Sequence, residues 1–294
     1  MRTRFRTVWI SDTHLGTRGA QAQELAWFLQ HIQCDYLYLV GDIVDMWRLK
    51  QRWLWPESHN TVVRRILKHA TRGAKVTLIP GNHDDALRPY AGLDIGGIRI
   101  ELNAAHRTAD GRSLLVSHGD QYDLVVQHHR ALSILGGWAY DGLLRVNRGW
   151  NLARSACGLP YHSLSGAIKS KVKGACQFIS RFEDELVAAA LRGGFDGVVC
   201  GHIHKAESRS LGVAYYNCGD WVESCTALVE DDSGHIRVLD GLAFNAAHRS
   251  RACDAGSSAV PAQVLPADDG DDWVAPTLPF PLPSAPARAR AVGE

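Results

Sequence analysis

Short apolar runs recur along the chain, separated by segments with helical spacing. Residues 5–10, 36–40 and 75–79 are predicted strands, and their nearly uninterrupted apolar character is typical of strands buried on both faces. Residues 20–33 and 58–72 place apolar side chains three and four positions apart, which predicts two amphipathic helices. This strand–helix–strand–helix–strand order predicts an α/β sheet with helices on its faces.

The strand pattern continues beyond residue 80 and returns near the end of the chain. Residues 98–102 and 113–117 are predicted strands joined by a polar turn at residues 108–111. Further strands are predicted at residues 197–200, 213–217, 225–230 and 236–239.

Composition divides the chain into three parts. Residues 1–120 and 193–244 contain the predicted strands and form an α/β core. Residues 121–192 contain helical stretches, several aromatic residues and an excess of basic residues, so they are predicted to be a helical insertion, or lid. Residues 245–294 are rich in Ala, Pro, Ser, Asp and Gly, which predicts a disordered tail without a catalytic role.

Charge and cysteine content narrow the class of protein. The net charge of +1 gives the 294-residue chain no general bias towards polyanions, which argues against a nuclease. The seven cysteines are odd in number and show no CxxC spacing, so we expect reduced thiols and a cytoplasmic protein. The chain contains no long uncharged apolar run, so no transmembrane helix is predicted. The N-terminus lacks the apolar stretch of a signal peptide.

Five of the predicted strands lead into loops that carry metal-binding side chains. Ligands of α/β sheets bind at the carboxyl ends of the strands, so we expect these loops to converge. Oxygen and imidazole groups without thiolate favour Mn²⁺, Zn²⁺ or Fe²⁺. The five loops contain Asp12-Thr13-His14, Gly41-Asp42, Gly81-Asn82-His83-Asp84, Ser117-His118-Gly119-Asp120 and Gly201-His202-Ile203-His204.

These loops supply enough ligands for two divalent metal ions with open positions for water and substrate. The carboxylate of Asp42 could bridge both ions through its two oxygens. Two cations about 4 Å apart form a clamp for in-line displacement at phosphorus, so the sequence predicts metal-dependent phosphoester hydrolysis. Mn²⁺ is the expected metal, with Zn²⁺ and Fe²⁺ as alternatives. The candidate ligands are Asp12, His14, Asp42, Asn82, His118, His202 and His204.

The ordered set of motifs resembles the calcineurin-like metallophosphoesterase superfamily over residues 12–204. The resemblance implies a four-layer α/β/β/α sandwich. It also implies that His83 contacts the phosphoryl group and that Asp84 orients His83. The implied ligand sets are Asp12, His14, Asp42 and His204 for one metal, and Asp42, Asn82, His118 and His202 for the other.

Several other polar residues each have two interpretations. Asp45 is either a loop carboxylate or a hydrogen-bond partner of a ligand. Asp120 is either such a partner or a helix N-cap, and Asp220 is either such a partner or a turn residue. The pair His128-His129 either touches the site or lies exposed on a helix.

The basic, aromatic-bearing insertion after His118 resembles the lid of the UDP-2,3-diacylglucosamine diphosphatases of lipid A synthesis. The likeness extends to residues 11–16 and 217–221. It implies cleavage of the pyrophosphate in UDP-2,3-diacylglucosamine, or a similar nucleotide-linked lipid, to UMP and a lipid phosphate. Candidate phosphate or sugar contacts on the lid, with solvated surface charges as the alternative, are Arg154, Lys169 and Lys173.

The sequence departs from those enzymes at His83, where dedicated lipid A enzymes often carry Arg. A soluble nucleotide or sugar phosphate is therefore the alternative substrate. A lid with apolar and basic faces would let the protein lie on the inner surface of the cell membrane without spanning it. A nucleic acid partner is not expected, and the oligomeric state is left open.

Overall fold

The computed structural model describes residues 2–122 and 173–256. The chain divides into two units, Met1–Ala252 and Cys253–Glu294, and the second is described only as far as residue 256. Within the described ranges no helix is long and apolar enough to cross a membrane. The strands are β1 (Thr3–Ile10), β2 (Ile32–Val40), β3 (Lys75–Ile79), β4 (Asp94–Ile95), β5 (Ile98–Ile100), β6 (Ala104–Arg107), β7 (Ser113–Val116), β8 (Gly197–Cys200), β9 (Glu207–Ser210), β10 (Ala214–Asn217), β11 (Thr226–Glu230) and β12 (Ile236–Asp240). The α-helices are α1 (Ala22–His31), α2 (Met46–Gln51), α3 (Glu57–Thr71), α4 (Lys173–Arg192) and α5 (Gly241–Gly256).

The described strands form two mixed sheets. The first has the order β12-β11-β1-β2-β3-β5-β4, with β1, β2, β3 and β5 parallel. The second has the order β6-β7-β8-β10-β9, with β7, β8 and β10 parallel. The carboxyl ends of the parallel strands carry all five polar loops that the sequence singled out, three on the first sheet and two on the second.

The side chains of the central strand β2 pack alternately against helices on one face of the first sheet and against the second sheet on the other, as expected for a four-layer sandwich. On β2, Leu37 and Leu39 pack with helices α1 and α3 on one face of the first sheet. Their neighbours Tyr38 and Val40 pack instead between the two sheets, where they meet Val116 of β7. Successive side chains of a strand point to opposite faces, so both faces of β2 are buried. The predicted α/β/β/α arrangement is confirmed.

Helix α4 forms the fourth layer. Phe182 and Leu186 are buried against Val198 and Tyr215 on the outer face of the second sheet. The predicted insertion, residues 121–192, therefore ends too late, because the part of α4 with described side chains belongs to the core. The sequence missed this boundary because an amphipathic helix in an insertion and one on a sheet share the same periodicity.

Other boundaries also differ from the predictions. The strands near residues 100 and 115 lie in different sheets, and the turn at residues 108–111 instead joins β7 to β6. The tail was expected from residue 245, but α5 continues to Gly256, and Asn245 is fully buried and donates to the Glu24 carbonyl at 2.9 Å. Sequence periodicity also missed the short or polar elements α2, β4, β6 and β9.

Replacing Leu186 with Ala tests whether α4 belongs to the core. Leu186 is fully buried, so the truncation should lower the free energy of unfolding by about 2–5 kcal/mol. The matched control, Leu191→Ala on the same helix, removes a side chain that is 57% exposed, and should change it by about 0.5 kcal/mol or less. Urea denaturation measures both, and equal small losses would place α4 outside the core.

Candidate metal centre

Backbone strain concentrates at three of the five polar loops, those that follow β1, β2 and β8. Among the described residues, six non-glycine residues have positive φ, and five of them are candidate metal ligands. Left-handed backbone costs a non-glycine residue on the order of 1–2 kcal/mol, and such strain clusters at functional sites. These residues are Asp12 (φ 50°), His14 (45°), Asp42 (53°), His202 (71°) and His204 (53°).

The first group of candidate ligands joins the two sheets. Asp12 and His14 follow β1 in the first sheet, whereas His204 follows β8 in the second. Asp12 Oδ1 lies 3.1 Å from His204 Nε2, and His14 Nε2 lies 3.3 Å from the same nitrogen. The other oxygen of Asp12 accepts the His202 backbone N–H at 3.0 Å. Asp12 is fully buried, while the His204 side chain is 40% exposed, so the group opens to solvent at His204.

The second group contains Asp42, His118 and His202, whose ligand atoms lie within 4.8 Å of one another. His118 is buried, and its Nδ1 donates to the Val40 carbonyl at 2.8 Å. That hydrogen bond assigns the ring proton to Nδ1 and leaves Nε2, 3.5 Å from Asp42 Oδ2, with a free lone pair.

Asp42, a member of the second group, also faces the first group. Its Oδ2 is 3.5 Å from His118 Nε2 and 3.9 Å from His14 Nε2. Its Oδ1 accepts the backbone N–H of His83 at 2.8 Å. The sequence suggested a bridge through both oxygens, but only Oδ2 faces both groups in this arrangement.

The free polar atoms of the centre fit divalent cations. Asp12 Oδ1, Asn82 Oδ1 and His118 Nε2 are buried and make no hydrogen bond in the described part of the chain, despite the short contact between Asp12 and His204. A buried polar atom without a partner costs free energy. Ligand atoms about 2.0–2.2 Å from a common cation lie roughly 3.0–3.6 Å apart. The Asp12–His204, His14–His204 and Asp42–His118 separations of 3.1, 3.3 and 3.5 Å fall in this range, whereas Asp12 Oδ1 and His14 Nε2 lie 3.9 Å apart.

The electrostatics of the centre favour positive charge. Burial raises the pKa of Asp12, but His204 and His118 outweigh burial and hold this pKa at about 2. Burial lowers the pKa of His204, but the facing Asp12 carboxylate raises it to about 9. Burial also raises the pKa of Asp42, but His118 outweighs burial and lowers this pKa below its ordinary value. The carboxylates are therefore ionised at neutral pH and attract cations.

Two glycines allow the loops to approach this closely. A Cβ on Gly41 would lie 2.2 Å from His118 Nδ1, and Gly41 also has φ +77°. A Cβ on Gly81 would lie 2.2 Å from Asp42 Oδ1. Any side chain at these positions would displace a candidate ligand, so both positions require glycine.

Asp84 does not orient His83, contrary to the implication of the sequence. Asp84 is fully buried, and its carboxylate accepts backbone N–H groups of Gly81 at 2.6 Å and Ile43 at 2.8 Å. It also accepts longer hydrogen bonds from the N–H groups of Asp42 and Val44. Burial and the nearby Asp42 raise the pKa of Asp84 to about 6. Asp84 thus ties the loop after β3 to the loop after β2.

Asp45 is the carboxylate beside His83. Its Oδ2 lies 3.1 Å from His83 Nδ1 and 3.6 Å from His14 Nδ1, and its Oδ1 caps α2 by accepting the Arg48 N–H. Burial lowers the pKa of His83, but the carboxylates of Asp45, Asp42 and Asp12 together outweigh burial and raise this pKa above its ordinary value. The His83 ring is 23% exposed and packs 4.4 Å from the Trp47 ring.

The remaining candidates separate into two sets. Asp120 pairs with Arg88, and Asp220 makes a turn by accepting the N–H groups of Val222 and Glu223. Neither belongs to the groups above that could hold a metal. The following candidates lie outside the described residues or, for Lys173 at the start of α4, outside the described side chains: Arg154, Lys169, Lys173, His128 and His129.

A cavity of about 450 Å³ adjoins the second group at His118. Arg88 and Asp120 line it together with Asn103 and apolar Leu102. The Nε of Arg88 is buried and has no hydrogen-bond partner in the described part of the chain. Sequence analysis missed Arg88 because it lies away from the predicted strand ends, and missed Asn103 because it is a single polar residue after the predicted strand 98–102 rather than part of a ligand motif.

Comparison with known proteins identifies a matching family. Residues 5–206 match the family described as calcineurin-like phosphoesterase. No curated protein matches the chain. Similar solved structures include a single mutant of Vps29 from Entamoeba histolytica, with 12% identity, 80% of this chain and 98% of that chain covered and a TM-score of 0.37.

Two further solved structures are similar to the same extent. A Thermotoga maritima protein has 13% identity, covers 80% of this chain and 97% of its own, and gives a TM-score of 0.38. A predicted phosphoesterase from Streptococcus pneumoniae has 12% identity, covers 81% and 90%, and gives a TM-score of 0.34. These scores are too low to carry an argument.

The family assignment rests on the match over residues 5–206. That span covers more than half of the chain and all five polar loops. Among the described residues, three groups could hold a metal: the two described above, and a third formed by His14, Asp45 and His83. The chain belongs to the calcineurin-like phosphoesterase family of metal-dependent phosphoester hydrolases.

Proposed function

We propose that the protein is a dinuclear-metal phosphohydrolase that cleaves the pyrophosphate of UDP-2,3-diacylglucosamine, or of a similar nucleotide-linked lipid, to UMP and a lipid phosphate. The observation that carries the two-metal chemistry is the position of Asp42 Oδ2, which faces His14 of one ligand group and His118 of the other. The lipid substrate rests on the sequence resemblance of the insertion after His118 and of residues 11–16 and 217–221.

Seven side chains would hold the metals. Bound metals would polarise the phosphoryl oxygens and activate water for in-line attack. We propose Mn²⁺, with Zn²⁺ and Fe²⁺ as alternatives, because the ligand atoms are oxygen and imidazole nitrogen only. The proposed ligands are Asp12, His14, His204 and Asp42 in one set, and Asp42, Asn82, His118 and His202 in the other.

His83 supplies the chemistry that comes from the chain itself. Its Nε2 lies 4.0 Å from Asp42 Oδ2, at the rim of the centre. The neighbouring Asp45 carboxylate favours the protonated imidazole, which can donate a hydrogen bond to a phosphoryl oxygen as negative charge develops there. Asp45 thus takes the orienting role that the resemblance implied for Asp84.

The cavity beside His118 is suited to the group next to the scissile phosphate. Its Arg88–Asp120 pair offers both hydrogen-bond donors and an acceptor. The Arg88 Nε has no partner among the described residues, so it could donate to an acceptor on the substrate. Sugar hydroxyls and a second phosphate meet these requirements. The alternative function, hydrolysis of a soluble nucleotide or sugar phosphate, is favoured by His83 in place of Arg.

Replacing Asp42 or His118 with Ala tests the two-metal chemistry and the substrate together. The Mn-loaded wild type should release UMP and lipid phosphate from UDP-2,3-diacylglucosamine, and both variants should lose turnover because each loses a ligand of the second metal. Product is measured by liquid chromatography and mass spectrometry, with an activated phosphodiester such as bis(p-nitrophenyl) phosphate as a generic substrate. If the wild type cleaved only the generic substrate, the lipid would be rejected as the substrate in favour of a soluble nucleotide or sugar phosphate.

Exchanging Asp45 and Asp84 for Asn separates their roles. The amide oxygen in Asp45→Asn can still cap α2 but cannot stabilise the His83 cation, so this variant should lower kcat by about tenfold or more and leave unfolding unchanged. Asp84→Asn turns an amide NH₂ towards backbone N–H groups, so it should lower the free energy of unfolding by about 1–3 kcal/mol. Steady-state kinetics and urea denaturation are run on both, with metal content checked. The reverse pattern would return the orienting role to Asp84.

A further inference from the structure

The aromatic-basic segment, Met46–Pro56, comprises α2 and the loop that follows it. It contains three tryptophans and three basic residues, and no acidic residue. Its other residues are apolar except Gln51. This composition differs from that of an ordinary solvated loop, where acidic and small polar residues are common. The tryptophans are Trp47, Trp53 and Trp55, and the basic residues are Arg48, Lys50 and Arg52.

The outer end of the segment projects an aromatic side chain into solvent. Trp53 is 74% exposed, more than any other large hydrophobic residue in the described ranges. Its ring lies 6.2 Å from that of Trp55. Trp55 in turn is fixed to helix α3, because its Nε1 donates to Asn60 at 2.8 Å and its ring packs edge-on against His59. Trp53 is therefore exposed to solvent next to Trp55, whose position is fixed by helix α3.

The two basic residues at this end, Lys50 and Arg52, have no ion-pair partner among the described residues. Both are exposed. The nearest acidic residue on the C-terminal side, Glu57, is already engaged by Arg64 and Asn60. Exposed indole and uncompensated positive charge thus occur within four residues of each other.

The inner end of the segment is part of the metal centre. Asp45 caps α2 and contacts His83, and the Trp47 ring lies 4.4 Å from the His83 ring. The six residues of α2 span about 9 Å at 1.5 Å per residue. The exposed indole is therefore joined to the metal centre by one short helix.

We propose that the aromatic-basic segment docks the protein on an anionic phospholipid surface, with Trp53 in the headgroup region and Lys50 and Arg52 on the lipid phosphates. Tryptophan concentrates at the interface between lipid and water, and basic residues beside it are attracted to anionic headgroups. Docking would bring the metal centre to a membrane that holds a lipid-linked substrate; this consequence rests on the proposed function. Charge complementarity favours a lipid surface over a second copy of this chain, whose own segment carries the same positive charge.

Vesicle co-sedimentation of the metal-loaded full chain, without substrate, tests the docking. The wild type should bind vesicles of phosphatidylethanolamine and phosphatidylglycerol, and bind pure phosphatidylcholine at least tenfold more weakly. Trp53→Ala should weaken binding about tenfold, and Lys50→Glu with Arg52→Glu should weaken it further and abolish its salt dependence. The matched controls are Leu191→Ala, which removes another exposed apolar side chain, and Arg192→Glu with Arg237→Glu. Both controls should bind as the wild type does.

Fluorescence quenching by brominated lipids checks which indole enters the lipid. Trp53→Phe should remove most of the quenching seen with the wild type. Wild type that ignores anionic vesicles, or Trp53 and Lys50/Arg52 variants that bind like the controls, would overturn the proposal. Self-association that is lost in Trp53→Ala, without vesicle binding, would assign the surface to a second copy and also overturn it.

The docking and the proposed function fail separately. Trp53→Ala should reduce UMP release from lipid substrate held in anionic vesicles, while hydrolysis of bis(p-nitrophenyl) phosphate stays unchanged. Vesicle binding without any UMP release would refute the proposed function and leave the docking intact. UMP release without vesicle binding would refute the docking and leave the proposed function intact.

Discussion

The buried carboxylate of Asp42 is the interaction on which the arrangement of the metal centre depends. Its two oxygens have different tasks: Oδ1 fixes the backbone of His83, and Oδ2 faces His14 from one sheet loop and His118 from the other sheet. Asp84 secures the same loop through backbone N–H groups. Asp12 makes a second connection between the sheets through His204, but Asp42 Oδ2 by itself faces ligand side chains of both groups.

Much of this could be predicted from the sequence, because the determining features are local. Strands such as β2 are apolar on both faces, and polar loops at their carboxyl ends indicate a site. The motifs containing Asp12 and His118 therefore identified the centre. The hairpin of β6 with β7 escaped because β6 is too short to show a strand pattern. The place of α4 escaped because it depends on tertiary contacts such as that of Phe182 with Val198.

The roles of Asp45 and Asp84 show where sequence reasoning stops. Asp84 follows His83 directly and is the natural candidate to orient it. The turn after β3 instead directs the Asp84 carboxylate into the backbone of the neighbouring loop, and Asp45 approaches the imidazole from the start of α2. Adjacency in sequence does not determine direction in space, and the same helix α2 links His83 to the exposed Trp53.

Anomalous diffraction from crystals of the Mn-loaded protein tests the central claim most directly. The account predicts two manganese peaks, both within about 2.2 Å of Asp42 Oδ2, one also bound by His14 and the other by His118. A single peak, or two peaks bridged by Asp42 Oδ1, would contradict it.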